Sequence, residues 1–171
     1  MALDVEVLAD GIKDLYGEDA PSSAAGAASA WADLLEEYIV DLTPALLTDT
    51  VSETARKSAA STALLTVFTA AAPDTATFAT SMSTALGAWA TAVGLTFDPP
   101  TTVAVAPLGS VLIAPLTATF VLNLALTPGE KTAEELQQEA ADNIANTIDA
   151  WVKTGTATTS PGPPPVVVNW S

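Results

Sequence analysis

Glu135, Glu139 and Asp142 fall at spacings of four and three, which on a helix puts all three carboxylates on one face. Oxygen ligands so placed could hold a hard divalent cation. The same spacing describes a solvated helix face, and acids near a helix N-terminus are favoured by its dipole. The solvated face is the expected reading. Glu36-Glu37 and Glu134-Glu135 are adjacent pairs. Neighbouring residues diverge on a helix, so neither pair converges for acid/base work. The chain has no histidine and no cysteine, which removes imidazole and thiolate ligands, disulfides and thiol nucleophiles. It has no Gly-rich phosphate loop, EF-hand spacing or Gly-x-Ser-x-Gly turn. Arg56-Lys57, the one basic pair, is expected to meet acids on the first two helices. A non-enzymatic chain follows, with no catalytic residue, cofactor or metal site.

Charge narrows the partners. Twenty acidic residues face five basic ones, Lys13, Arg56, Lys57, Lys131 and Lys153, for a net charge of -15. Such a surface repels phosphate backbones, so no nucleic acid is expected, and an anionic membrane surface is disfavoured for the same reason. The opening Met1-Ala-Leu-Asp-Val-Glu-Val lacks the basic and apolar regions of a secretory signal. The acids are unevenly placed. Between Ser58 and Gly129 only Asp74 and Asp98 carry charge. A water-soluble domain seldom leaves so long a stretch neutral unless something covers it.

The elements that position these residues read as helices. Val5, Leu8, Ile12 and Leu15 mark a helix over residues 4–16. Pro21-Ser22-Ser23 opens a second helix to about Val40, lined by Ala24, Ala27, Ala28, Trp31 and Tyr38. Thr50-Val-Ser-Glu53 has the spacing of a capping box for a third, which Pro73 stops. Asp74 or Thr75 caps a fourth carrying Phe78, Met82, Leu86, Trp89 and Val93, a stripe read as core packing. Residues 95–110, with Pro99, Pro100, Pro107 and Gly109, form a loop or extended connector. Val111–Leu126, interrupted by Pro115, is read as a bent helix, with strand as the alternative. Thr132-Ala-Glu-Glu135 is a second capping box, and its helix runs through Leu136, Ile144, Ile148 and Trp151 towards Gly155. Thr156–Ser171, with Pro161, Pro163, Pro164 and Pro165, is read as an extended tail.

The fold expected is therefore all-α: about five to six helices in a bundle over residues 1–155, with an extended Pro-rich C-terminal arm over 156–171. Two coverings suit the neutral stretch. Residues 103–126 are long enough to cross a bilayer, which gives a holin-like alternative. Pro107, Gly109, Pro115 and Asn123 oppose a span, and no positive cluster flanks it. Burial against other subunits is the favoured covering. The tail is read either as an arm that docks on a neighbour by strand addition or Trp insertion, or as a frayed terminus. The expected subunit-interface residues are Val111, Leu112, Ile113 and Phe120 in the neutral stretch and Val166, Val167, Val168 and Trp170 in the arm.

Met1-Ala-Leu-Asp4, Ala30-Trp31-Ala32, Ala88-Trp89-Ala90 and Ile148-Asp-Ala-Trp-Val-Lys-Thr-Gly-Thr-Ala-Thr-Thr159 together resemble small Ala/Thr-rich virion structural proteins of tailed bacteriophages. The resemblance covers the last third best. It implies a helical body followed by an extended tail, and a structural role in the neck, tail or baseplate, or as a capsid decoration. It transfers no catalytic residue. The partners it implies are other subunits of the same particle, further copies of this chain included, in a virion assembled in the host cytoplasm.

Overall fold

A computed structural model describes residues 3–17, 20–129, 131–160 and 164–171. Met1, Ala2, Pro161 and Pro163, all singled out in the sequence, lie outside these residues. The chain is chiefly helical: six helices and a small three-stranded sheet. The all-α expectation is corrected by that sheet.

The helices start where a side-chain oxygen can satisfy free amides. Asp4 opens α1 (Val5–Leu15) by accepting from the Glu6 amide, and Ser23 opens α2 (Ala24–Tyr38) by accepting from Gly26. α3 (Thr50–Thr69) is capped by Asp49, whose carboxylate accepts from the amides of Val51 and Ser52. The box expected at Thr50 is displaced by one residue, because a charged acceptor taking two amides outcompetes a hydroxyl taking one. Asp74 caps α4 (Thr75–Gly94). Leu108 precedes α5 (Gly109–Leu124) with no side-chain cap. Before α6 (Ala133–Val152), Thr132 and Glu135 exchange both hydrogen bonds of the expected capping box. Its carboxylate, like those of Asp49 and Asp74, is held below the usual range, first by the backbone amides it accepts.

Packing follows chain order. Each helix lies against the next, and α6 closes the circuit on α1. The core combines aliphatic residues with Trp31, Tyr38, Trp89 and Trp151. The neutral stretch is thus not the centre of the domain. α1, α2 and α6 supply as much of the core, and the second halves of α3, α4 and α5 present neutral residues to solvent. On α3 and α4 much of that surface is threonine. Thr69, Thr80, Thr84 and Thr91 turn their hydroxyls back onto carbonyls four residues earlier, leaving methyl groups outward.

The sheet revises the tail. β1 (Thr101–Val105), β2 (Thr156–Thr159) and β3 (Val166–Asn169) lie in that order, antiparallel throughout. The tail is extended, but β2 pairs with β1 of the chain's own connector and β3 pairs with β2, so among the described residues no free arm leaves the body. Trp170 explains why: it is 0% exposed. Its ring meets Phe97 edge-on with centroids 5.2 Å apart, and its amide donates to the Gly155 carbonyl at 2.9 Å. Gly155 fits this place because it lacks a Cβ, which would stand 2.5 Å from the indole. The Thr43 amide then donates to the Ser171 oxygen at 2.8 Å. Trp170 is therefore a core anchor of its own chain, not a plug for a neighbour.

Region 103–126 is likewise divided, into β1, a short turn and the 16 residues of α5. Among the described residues, no helix is long and apolar enough to cross a membrane.

Candidate functional site

All five basic side chains are paired with carboxylates within the fold. Arg56, 2% exposed, lies beneath the loop joining α2 to α3. Its Nε donates to Glu36 Oε2 at 2.9 Å and its Nη2 to Glu36 Oε1. Nη1 donates to the Leu47 carbonyl at 2.9 Å and to Thr96 Oγ1 at 3.0 Å. This two-pronged pairing is the geometry in which a guanidinium best matches a carboxylate. Lys57 pairs with Asp33 of α2 and Glu53 of its own helix. Arg56-Lys57 thus meets acids as expected, though on α2 and α3 and not on α1. A shallow cleft of about 350 Å³ opens over the cluster, with Glu37 at its rim. Its one buried cation is already neutralised by Glu36, so the cleft braces α2, α3 and the following loop.

The acids of α6 also have separate partners. Glu135 closes the capping box, Glu139 pairs with Lys131, and Asp142 accepts from Gln138. Glu134 reaches Lys13 on α1. Glu134 and Glu135 diverge as expected, whereas Glu36 and Glu37 both line the cleft over Arg56. Among the described residues, no group of three potential ligands is placed to hold a metal ion.

A third polar cluster escaped the sequence reading. Tyr38 Oη donates to Asp149 Oδ1, and Lys153 Nζ to Asp149 Oδ2, each at 2.8 Å. It ties α2 to α6 through buried groups 111 residues apart in sequence. Burial first, then the charge and hydrogen bond of Asp149, hold the Tyr38 phenol far above its usual range. The folded state keeps that proton where the unfolded chain, with a phenol near pKa ~10, releases it. The sign follows: above pH ~10 the native state binds more protons, so stability falls by up to ~1.4 kcal/mol per pH unit. Alkaline denaturation monitored by circular dichroism should show this slope, and Tyr38→Phe should flatten it. An unchanged slope in the variant would remove the burial assignment.

Apolar surface is where the molecule is unusual. A groove of about 520 Å³ lies among α1, α4, α5 and α6, lined by Tyr16, Phe78, Phe120 and Ile144. Phe78 and Phe120 stack at a tilt with centroids 5.3 Å apart. α5 is apolar on every side, and such a helix ordinarily is buried all round. Here Leu112, Leu116 and Thr119 face inward while Val111, Ala114, Pro115, Ala118, Val121 and Leu122 are exposed. Those six recur at spacings of three and four, so they form one uncharged stripe. The exposed apolar residues continue through Leu108 to Val105 and Val103 of β1. On the outer face of the sheet Val103 pairs with Thr158, which pairs with Val167.

The expected interface residues therefore separate. Val111, Val166 and Val167 are exposed, whereas Ile113, Phe120 and Val168 are half-buried against the core. Leu112 and Trp170 are fully buried in their own chain and are withdrawn from the interface. Val103, Val105, Ala118, Val121 and Leu122, which are exposed as well, were not among the residues expected. Only the helical phase of α5 and the pairing of β1 reveal them. Comparison of the chain with protein-family models, curated proteins and solved structures finds no match.

Proposed function

We propose that this protein is a non-enzymatic structural subunit of a large protein assembly, with a tailed-phage virion as the setting. The observation that carries the reading is the exposed apolar stripe of α5, running on to the outer face of the sheet. Exposed apolar surface of this kind on a protein with a net charge of -15 marks a contact with another protein. The charged groups support the same reading, since the buried ones brace helices and those of α6 serve caps and ion pairs. The resemblance of the α6–β2 segment to phage virion proteins supplies the setting: neck, tail or baseplate, or capsid decoration. The partners are other subunits of that particle, copies of this chain among them.

Density-gradient sedimentation of a lysate from the native producer tests this. The chain should travel with particles, at a fixed ratio to a known particle protein. Recovery only among slow-sedimenting proteins, or only in membranes released by detergent, would contradict it.

A further inference from the structure

We infer that the stripe on α5 is a homotypic contact: a second copy of this chain packs its own α5 stripe against it, about a two-fold axis near Ala118. This deepens, and rests on, the structural-subunit reading by naming the partner.

Charge selects the occupant. Each copy carries a net charge of -15, with carboxylates concentrated on α1, α2 and α6. A copy approaching with one of those faces would bury carboxylates against Val121 and Leu122 with nothing to pair them. It would also set that acidic face beside the acidic α6 that packs against α5. Nucleic acid and anionic lipid meet the same repulsion. A basic partner would find its complement on the acidic helices, away from this surface. Two faces of a second copy meet α5 without desolvating a charge, the threonine-rich outer face of α3 and α4 and α5 itself; of these, α5 exposes Val111, Val121 and Leu122 and so offers the more apolar surface to bury. A pair formed that way keeps the acidic helices on the outside, and a self-complementary patch is what a two-fold contact requires.

Shape agrees with charge. Ala118 sits at the middle of the stripe and Ala114 one turn before it. Small side chains there let two helix axes come to the near end of the usual 8–10 Å separation.

Area decides how far the contact must extend. The 16 residues of α5 make a strip ~24 Å long and ~10 Å wide. Its projection, on the order of 240 Å², falls short of the ~800 Å² per partner of a stable interface. The neutral surface does continue. A groove of about 420 Å³ lined by Val111, Pro115, Ala150 and Thr154 leads from α5 past α6. Two residues after Thr154, Thr156 pairs with Val105 on the sheet. We therefore assign to the contact this groove as well as α5, with the exposed Val103 and Val105 of β1, which residues 106–108 join to α5, as the surface that completes it.

The absence of cysteine makes the test clean, because one introduced thiol has no competitor. The full chain carrying Ala118→Cys is oxidised beside a control carrying Ser29→Cys on the exposed face of α2, and the parent chain is followed by sedimentation equilibrium. The expected result is a concentration-dependent dimer, strengthened by salt. Ala118→Cys should form an inter-chain disulfide and Ser29→Cys should not. Val121→Glu should raise the dimer dissociation constant at least tenfold with unchanged thermal melting; Ala118→Glu serves if that variant does not fold. A chain monomeric at every concentration, or a dimer indifferent to both glutamates, overturns the homotypic contact. The two readings fail separately. A monomeric chain that still enters particles overturns the homotypic contact and leaves the structural role standing. A cross-linked, glutamate-sensitive dimer never found in particles does the reverse.

Discussion

Arg56→Ala is expected to lower the unfolding free energy by about 3–5 kcal/mol, a large share of the ~5–15 kcal/mol available to a domain of this kind. The size comes from what is left behind. Removing the guanidinium strands the Glu36 carboxylate, itself only 16% exposed, and takes a donor from the Leu47 carbonyl and from Thr96 Oγ1, which keeps its own bond to the Val93 carbonyl. Those acceptors sit on α2, on the following loop and just past α4, so one side chain ties three parts of the chain. Arg56→Lys should recover little, since an ammonium offers no fork to Glu36. Replacing both partners, Arg56→Met with Glu36→Leu, should cost clearly less than the sum of the single changes, because no charge is then stranded. Urea unfolding of the four proteins measures this; additive losses would mean that the pair is not coupled.

Trp170→Ala is expected to cost about 3–5 kcal/mol, the range for emptying a large aromatic site. Residue 170 lies beyond the last strand, where truncation is ordinarily harmless. Its ring, however, fills the space between Phe97 and Gly155 and holds β3 beside β2. The exposed Val167 on the same strand supplies the contrast, as Val167→Ala should stay within about 0.5 kcal/mol. Thermal melting of the two variants separates an anchored tail from a free arm. Equal, small effects would restore the free arm.

These two sites differ in how far they could be read from sequence. The capped helices were legible because their signals are local. Ser23, Asp74 and the Thr132–Glu135 box each lie within three residues of the amides they satisfy. Arg56-Lys57 was traced to acids because five basic residues among twenty acidic ones leave few alternatives. The sheet was not legible. β1 pairs with β2 across more than fifty residues, and strands of four or five residues rich in Thr, Ala and Val carry too little alternation to declare a face. Trp170 was misread for the same reason, since its socket is assembled from Gly94, Phe97 and Gly155.

The candidate surface shows the limit most clearly. Apolar residues occupy α5 on all sides, so its periodicity has no phase, and sequence alone made Val111 and Leu112 equivalent. Packing against α4 and α6 breaks the tie, turning Leu112 inward and Val111 outward. The neutral segment was legible as a long uncharged stretch, but which half of it faces outward is a tertiary property.

Hydroxyl-radical footprinting of the chain, free and within the sedimenting particle, tests the central claim most directly. It reads side-chain exposure residue by residue. The expected result is oxidation of Val103, Val105, Val121 and Leu122 in the free chain and protection of all four in the particle. Val40, exposed at the end of the acidic α2, should react equally in both states. Undiminished reactivity of α5 and the sheet within the particle would contradict the assignment of this surface as the subunit contact.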